Sequence, residues 1–137
     1  MKYAEELSQV QTNCPNSYSS ARNCTGFRFV LNPMTPDCFI PQAIKSPKRI
    51  QNESDAKKKC ELWGLSMFDS LSNAEKRYNL LKKSLKNIKE TLGDHVAEGP
   101  ITISSGVCSP VSTNGHFDVY EYSNNYFHKT FKIVKAL

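Results

Sequence analysis

The chain has no run of about 20 apolar residues, so no segment of it is long enough to cross a bilayer as a helix. It has no Gly-x-x-x-x-Gly-Lys and no Gly-x-Gly-x-x-Gly, which removes the two common glycine-rich phosphate loops. It has no Cys-x-x-Cys pair, and Cys14, Cys24, Cys38 and Cys60 are spaced too widely for an ordinary zinc site, so no metal is predicted. The cysteines number five, and no apolar secretion segment follows Met1. That combination argues against a disulfide framework and predicts a cytoplasmic protein with free or buried thiols. Internal repeats and low-complexity tracts are also lacking.

What is present suits one domain: 137 residues, 39% of them hydrophobic, with a net charge of +5. Many of the positive charges fall between Lys45 and Lys89. Such a run either forms a solvated face or attracts phosphate groups without sequence preference, nucleic acid included.

Alternation and turn chemistry divide the chain into an N-terminal helix and loop (1–25) and an α+β core (26–137). Residues 2–10 read as a short helix, and the turn-forming stretch 11–25 as loop. Gly26–Leu31 alternates as a strand and is stopped by Asn32-Pro-Met-Thr-Pro36. Residues 37–54 read as irregular, with at most one helical turn. Asp55–Leu62 is a short helix, and Trp63–Asp69 is an apolar run suited to a strand covered on both faces. Ser72-Asn-Ala-Glu75 has the form of a capping box. Ala74, Tyr78, Leu81, Leu85, Ile88 and Leu92 then recur on one helical face, which predicts a single long amphipathic helix over about 72–92 ending at Gly93. Beyond it, residues 95–99 and 100–104 read as two strands separated by a break. Ser104–Gly115 reads as loop, His116–Tyr122 as a strand, and Tyr126–Ala136 as a terminal strand. Strands gathered at the C-terminus imply an α+β fold, with a mixed or mainly antiparallel sheet packed by the long helix and one or two short ones.

The candidate site residues sit on these elements. Arg28 lies on the first strand between Phe27 and Phe29. Gly64 and Ser66 lie on the second strand, within Trp63-Gly-Leu-Ser-Met-Phe68. Ala74 and Tyr78 lie on the helix that follows, and His116 and Glu121 on a late strand. Packing accounts for each singly, with Arg28 as a strand-edge ion pair, Ser66 as a small residue in a tight strand, Tyr78 as core and Glu121 as a solvent-facing residue. A Cys108–His116 nucleophile–base pair has no local signature to support it.

Taken in chain order, these residues resemble the ADP-ribosyltransferase superfamily. Many of its members carry an early strand with Arg or His, then a strand of the form Gly-x-Ser/Tyr-x-Phe, a helix with Ala and Tyr, and a late acidic residue. The resemblance covers roughly residues 26–122, without a Ser-Thr-Ser triplet or a Glu-x-Glu pair. It implies a NAD-consuming transferase, with NAD as the bound dinucleotide. Arg28 would contact its phosphate or ribose, and Ser66, beside Gly64, would bind the nicotinamide ribose or brace the pocket. Tyr78 would flank that pocket, Glu121 would stabilise an oxocarbenium-like transition state, and His116 would position the leaving group or substrate. The chain also looks like small bacterial proteins linked to antiphage defence or toxin systems. That likeness implies the alternative of a non-catalytic protein- or nucleic-acid-binding subunit, anchored through Tyr120, Tyr122, Tyr126 and Phe127.

Overall fold

The computed structural model describes Met1–Leu137. In chain order the elements are α1 (Ala4–Ser8), β1 (Cys24–Val30), a 3₁₀ turn (Pro36–Phe39), α2 (Gln42–Lys45), α3 (Pro47–Asn52), α4 (Ala56–Leu62) and β2 (Leu65–Phe68). There follow α5 (Leu71–Lys82), α6 (Ile88–Thr91), β3 (His95–Ile101), β4 (Gly106–Cys108), β5 (His116–Glu121), a second 3₁₀ turn (Phe127–Lys129) and β6 (Lys132–Ala136). The strands form one sheet in the order β4–β5–β2–β1–β3–β6, and every neighbouring pair is antiparallel. The fold is α+β, as the clustering of C-terminal strands predicts. No helix is long and apolar enough to cross a membrane.

Strand alternation gives the sheet two apolar faces. Val30, Leu65, Met67, Ala97, Ile101, Phe117 and Val119 share one face with Cys38, Phe39, Phe127 and Phe131 from the two 3₁₀ turns. Phe39, Phe127 and Phe131 stack mutually with ring centroids 5.1–6.1 Å apart. The opposite face carries Phe27, Phe29, Phe68 and Val96 against Leu71 and Ala74. Gly99 lets the first layer close, because a Cβ there would stand 2.1 Å from the Phe131 ring.

Several elements differ from the sequence reading. The helix over 72–92 is interrupted: α5 ends at Lys82 and α6 begins at Ile88. Ser84 turns its hydroxyl back to the Leu81 carbonyl, and Leu85, expected on the core face, is 42% exposed. The N-cap of α5 is Ser70, which accepts from the Asn73 amide at 3.1 Å, so the Ser72/Glu75 capping box is not used. Residues 37–54 hold more helix than one turn, because Pro36 and Pro47 occupy the first turns of helices, where the missing N–H costs nothing. Residues 95–101 form one strand, not two. Pro100 is tolerated because β6 pairs with β3 only as far as Glu98. Ser104–Gly115 contains β4, and the terminal segment begins as a 3₁₀ turn before β6.

The expectation of free thiols fails for one pair: Cys14 and Cys60 are joined by a disulfide, while Cys24, Cys38 and Cys108 are free. Cysteine parity constrains how many thiols are left over, not whether two of them meet. The bridge ties the N-terminal loop to α4, within a small cluster of Leu7, Cys60 and Tyr120 flanked by Tyr3 and Trp63.

Candidate active site

The sheet is poorly joined at its centre. β1 pairs with β3 through seven register positions and β2 with β5 through four, but β1 meets β2 only at Phe27–Phe68. Beyond that pair the two main chains part. Arg28 crosses the gap: Nε donates to the Cys38 carbonyl at 2.9 Å and Nη1 to the Ser66 carbonyl at 2.8 Å, with the guanidinium 5.9 Å from the Phe39 ring centre. A side chain thus replaces the missing ladder bond. A cleft of about 970 Å³ opens at this split. Arg28, Phe29, Gly64, Ser66, Phe68, His116 and Asp118 line its floor, and Lys45 from α2, Arg49 from α3, Lys58 from α4 and Arg77 from α5 reach into it from the surrounding helices.

Register explains the floor. Ser66 stands directly opposite Asp118, and Phe68 opposite His116, on one face of the β2–β5 ladder. The Ser66 hydroxyl and His116 Nε2 are 2.7 Å apart, and Asp118 Oδ1 lies 3.7 Å from the same nitrogen. Both partners approach Nε2, so this is not a relay in which a carboxylate orients one ring nitrogen while the other activates a serine. The His116 ring is held edge-on to Phe68 at 5.5 Å. Its backbone N–H is taken by Ser112 Oγ and Asn114 Oδ1. Gly115, at φ +83°, shapes the turn before it; a Cβ there would lie 2.3 Å from Asp69 Oδ1. Gly64 lets β2 and β5 approach, since its Cβ would sit 2.8 Å from the Cβ of Asp118.

Electrostatics at the site run against easy ionisation. Burial, reinforced by Glu61 and opposed by Arg28, raises the Asp118 carboxyl to about 7. Burial and then the charge of Arg77 lower His116. Burial lowers Arg28 to about 10, so it stays cationic at neutral pH. Lys45 is also lowered, by burial and then by Arg28. The ion pairs of the fold involve Lys2, His95 and His116, so Arg28, Lys45, Arg49, Lys58 and Arg77 have no carboxylate within ion-pair distance. No group of three or more His, Cys, Asp or Glu is assembled to hold a metal ion.

The structure therefore brings together Arg28, Gly64, Ser66 and His116 but leaves two predicted residues elsewhere. Glu121 is a correction. Its parity on β5 is opposite to that of His116 and Asp118, and its buried carboxylate takes Lys2 Nζ at 3.0 Å and Asn125 Nδ2 at 2.9 Å. Tyr78 is the second: it is 2% exposed, packs edge-on to Phe29 at 5.3 Å and donates to the Gly93 carbonyl at 2.9 Å. The proposed aromatic anchor is likewise dispersed. Tyr120 and Phe127 are buried, and Tyr126, 51% exposed, lies near Lys2 and Lys129. Asp118 and the four helix cations are the residues that sequence reasoning missed.

Comparison with known family models, curated proteins and solved structures yields no match.

Proposed function

We propose that the chain is an ADP-ribosyltransferase-like domain whose cleft takes NAD. The observation that carries this reading is the meeting of the Ser66 hydroxyl and His116 Nε2 at 2.7 Å in a cleft that Arg28 also lines, reaching the Ser66 main-chain carbonyl at 2.8 Å from the other face of the sheet. The order of those residues along the chain is the one in which the superfamily resemblance was found. The cleft, at about 970 Å³, is at the upper end of the roughly 300–1,000 Å³ typical of ligand sites. Its five cations without ion-pair partners suit a pyrophosphate. In such a complex Arg77, Lys45 and Arg49 would hold phosphate oxygens, and Ser66 and His116 would face the nicotinamide ribose. NAD itself supplies the C1′–N bond whose cleavage releases neutral nicotinamide.

Glu121, bound to Lys2 on the far face, has no part in this assignment. Its absence from the cleft favours a second reading, in which the same cleft binds a phosphorylated ligand without turning it over. Incubating the full chain with NAD labelled on the adenylate, with and without cell lysate, separates the two. The transferase reading expects free nicotinamide or labelled acceptor, and a loss of at least about tenfold in Ser66→Ala and His116→Gln. Binding without release of nicotinamide supports the second reading, and no binding of NAD removes both for this ligand. A role in a bacterial conflict system rests on the resemblance, and it falls with the transferase reading.

A further inference from the structure

Asp118 is 6% exposed, yet it lines the cleft. None of the chain's side-chain hydrogen bonds ends on its carboxyl, and the one basic group within ion-pair distance is His116 Nε2, at 3.7 Å. The backbone around it is engaged: its N–H donates to Ser109 Oγ at 2.9 Å and its carbonyl accepts from the Ser109 N–H at 2.9 Å. The residue is thus fixed in place by its main chain, with an unpartnered carboxyl facing the cavity. Its carboxyl oxygens are open to the cleft and not sealed in the core, so they have no donor from the protein and can meet one from outside. Glu61, the other carboxylate acting on it, makes the position worse. An unpaired group held this way inside a cleft points to a donor that arrives with a ligand.

The charge distribution says which part of the ligand brings that donor. Lys45, Arg49, Lys58 and Arg77 come from four different helices and outnumber Glu53 and Glu61, the carboxylates that line the same walls. Phosphates belong with these cations, whereas a carboxyl on the floor repels phosphate. Beside Asp118 stand Ser66, His116 and the aromatic rings of Phe68 and Phe29. That floor suits an uncharged hydroxyl-bearing or amide-bearing ring.

We propose that Asp118 is the specificity-determining residue of the cleft, accepting a hydrogen bond from a sugar hydroxyl or amide of a ligand whose phosphates lie on the helix cations. The inference rests on the cleft being a nucleotide site, as in the function proposed above, but not on transfer chemistry. The full chain, as wild type, Asp118→Asn and Asp118→Ala, is titrated calorimetrically with ADP-ribose and with inorganic pyrophosphate. Wild type is expected to bind both. Each variant is expected to lose about tenfold to a hundredfold for ADP-ribose, the range for one hydrogen bond to a charged group, with no loss for pyrophosphate. Equal loss for both ligands would assign Asp118 a purely structural role and overturn the proposal, as would ADP-ribose binding unchanged in both variants. Failure of wild type to bind either ligand overturns it together with the nucleotide reading. Binding of ADP-ribose by wild type without any cleavage of NAD removes only the transferase reading and leaves the role of Asp118 to the variant comparison.

Discussion

The Ser66 hydroxyl meets His116 Nε2 at 2.7 Å along the diagonal of the β2–β5 ladder, while Asp118, directly opposite Ser66, stays 3.7 Å from the same nitrogen. Diagonal cross-strand pairs are within reach of long or aromatic side chains, and here the imidazole spans the offset. The contact joins a residue reached through a glycine turn to one at the edge of the central split, so the site depends on the register of two strands and not on a flexible loop.

The Asp118 carboxyl gives the fold a defined pH signature. Its ordinary value is 3.8 and the fold raises it to about 7, mainly through burial. The folded state therefore holds this proton more tightly than the unfolded chain. Its contribution is fully present below about pH 4 and is lost as pH rises through 7. Asp118→Asn has no such loss. The unfolding free energy of the variant is expected to rise relative to that of wild type by an amount that grows between pH 4 and 7 and levels off above about 8, reaching on the order of a few kcal/mol, with the melting temperature following. His116, lowered by burial and Arg77, acts in the opposite sense and lies 3.7 Å from Asp118, so its titration is followed in both proteins alongside the melting. A melting difference that stays constant with pH would show that Asp118 ionises normally.

Tyr78 is a packing residue in this structure, and the distinction is measurable. Tyr78→Phe removes one buried hydrogen bond to Gly93 and should cost about 1–2 kcal/mol in denaturant unfolding while leaving ligand affinity unchanged. Gly93→Ala should be worse. Gly93 has φ +98°, and an added Cβ would lie 2.2 Å from the Val30 carbonyl oxygen, so a backbone shift is required at the end of β1. A fall in ligand binding by Tyr78→Phe without loss of stability would return Tyr78 to the site.

Glu121→Gln tests the far face of β5. The carboxylate is 5% exposed and holds Lys2 and Asn125. The substitution should lower stability by about 1.5–3 kcal/mol, the range for hydrogen bonds to a charged partner, and loosen the Lys2 side chain, while the Lys2 N–H keeps its bond to the Glu121 carbonyl. Binding and turnover of any cleft ligand should be unaffected. A loss of turnover with unchanged unfolding would place Glu121 back among the reacting groups.

The Cys14–Cys60 bridge closes a loop with a sequence separation of 46. Cross-links of that length restrict the unfolded chain by about 4 kcal/mol in the loop-entropy model. Cys14→Ser, or reduction of the wild type, should lower the unfolding midpoint accordingly and alter the fluorescence of Trp63, which packs beside the bridge. Equal stability with and without reductant would mean that the two thiols are not joined in solution.

Much of this architecture was legible in the chain. Period-two alternation marked β1 and β5, a continuous apolar run marked β2, and a cap at Ser54 or Asp55 marked α4, because each is a local signal. The break in the 72–92 helix was not legible, since the apolar spacing continues through it and no proline or glycine interrupts it. The disulfide was hidden because spacing does not report which loops meet. The site was half legible. Gly64 and Ser66 were marked as small residues in an apolar segment and Arg28 as an arginine in a separate strand, but their juxtaposition is a tertiary fact. Numbering alone separates Glu121 from the cleft: positions 116 and 121 differ in parity, so a straight strand cannot turn both to one side, whereas 116 and 118 agree. The helix cations could not be assigned from the chain, since their convergence is a tertiary fact.

The single Phe27–Phe68 register pair leaves β4–β5–β2 and β1–β3–β6 as two three-stranded leaves along one seam. Each leaf is laced by its own ladder, so amide protons at the seam should exchange before those within either leaf. The guanidinium of Arg28 is a stitch across that seam, and anything bound at its open end grips both leaves at once. If the cleft takes ADP-ribose as proposed, the ligand would join the two leaves, and slowed amide exchange at Phe29 and Ser66 on its addition is the expected readout.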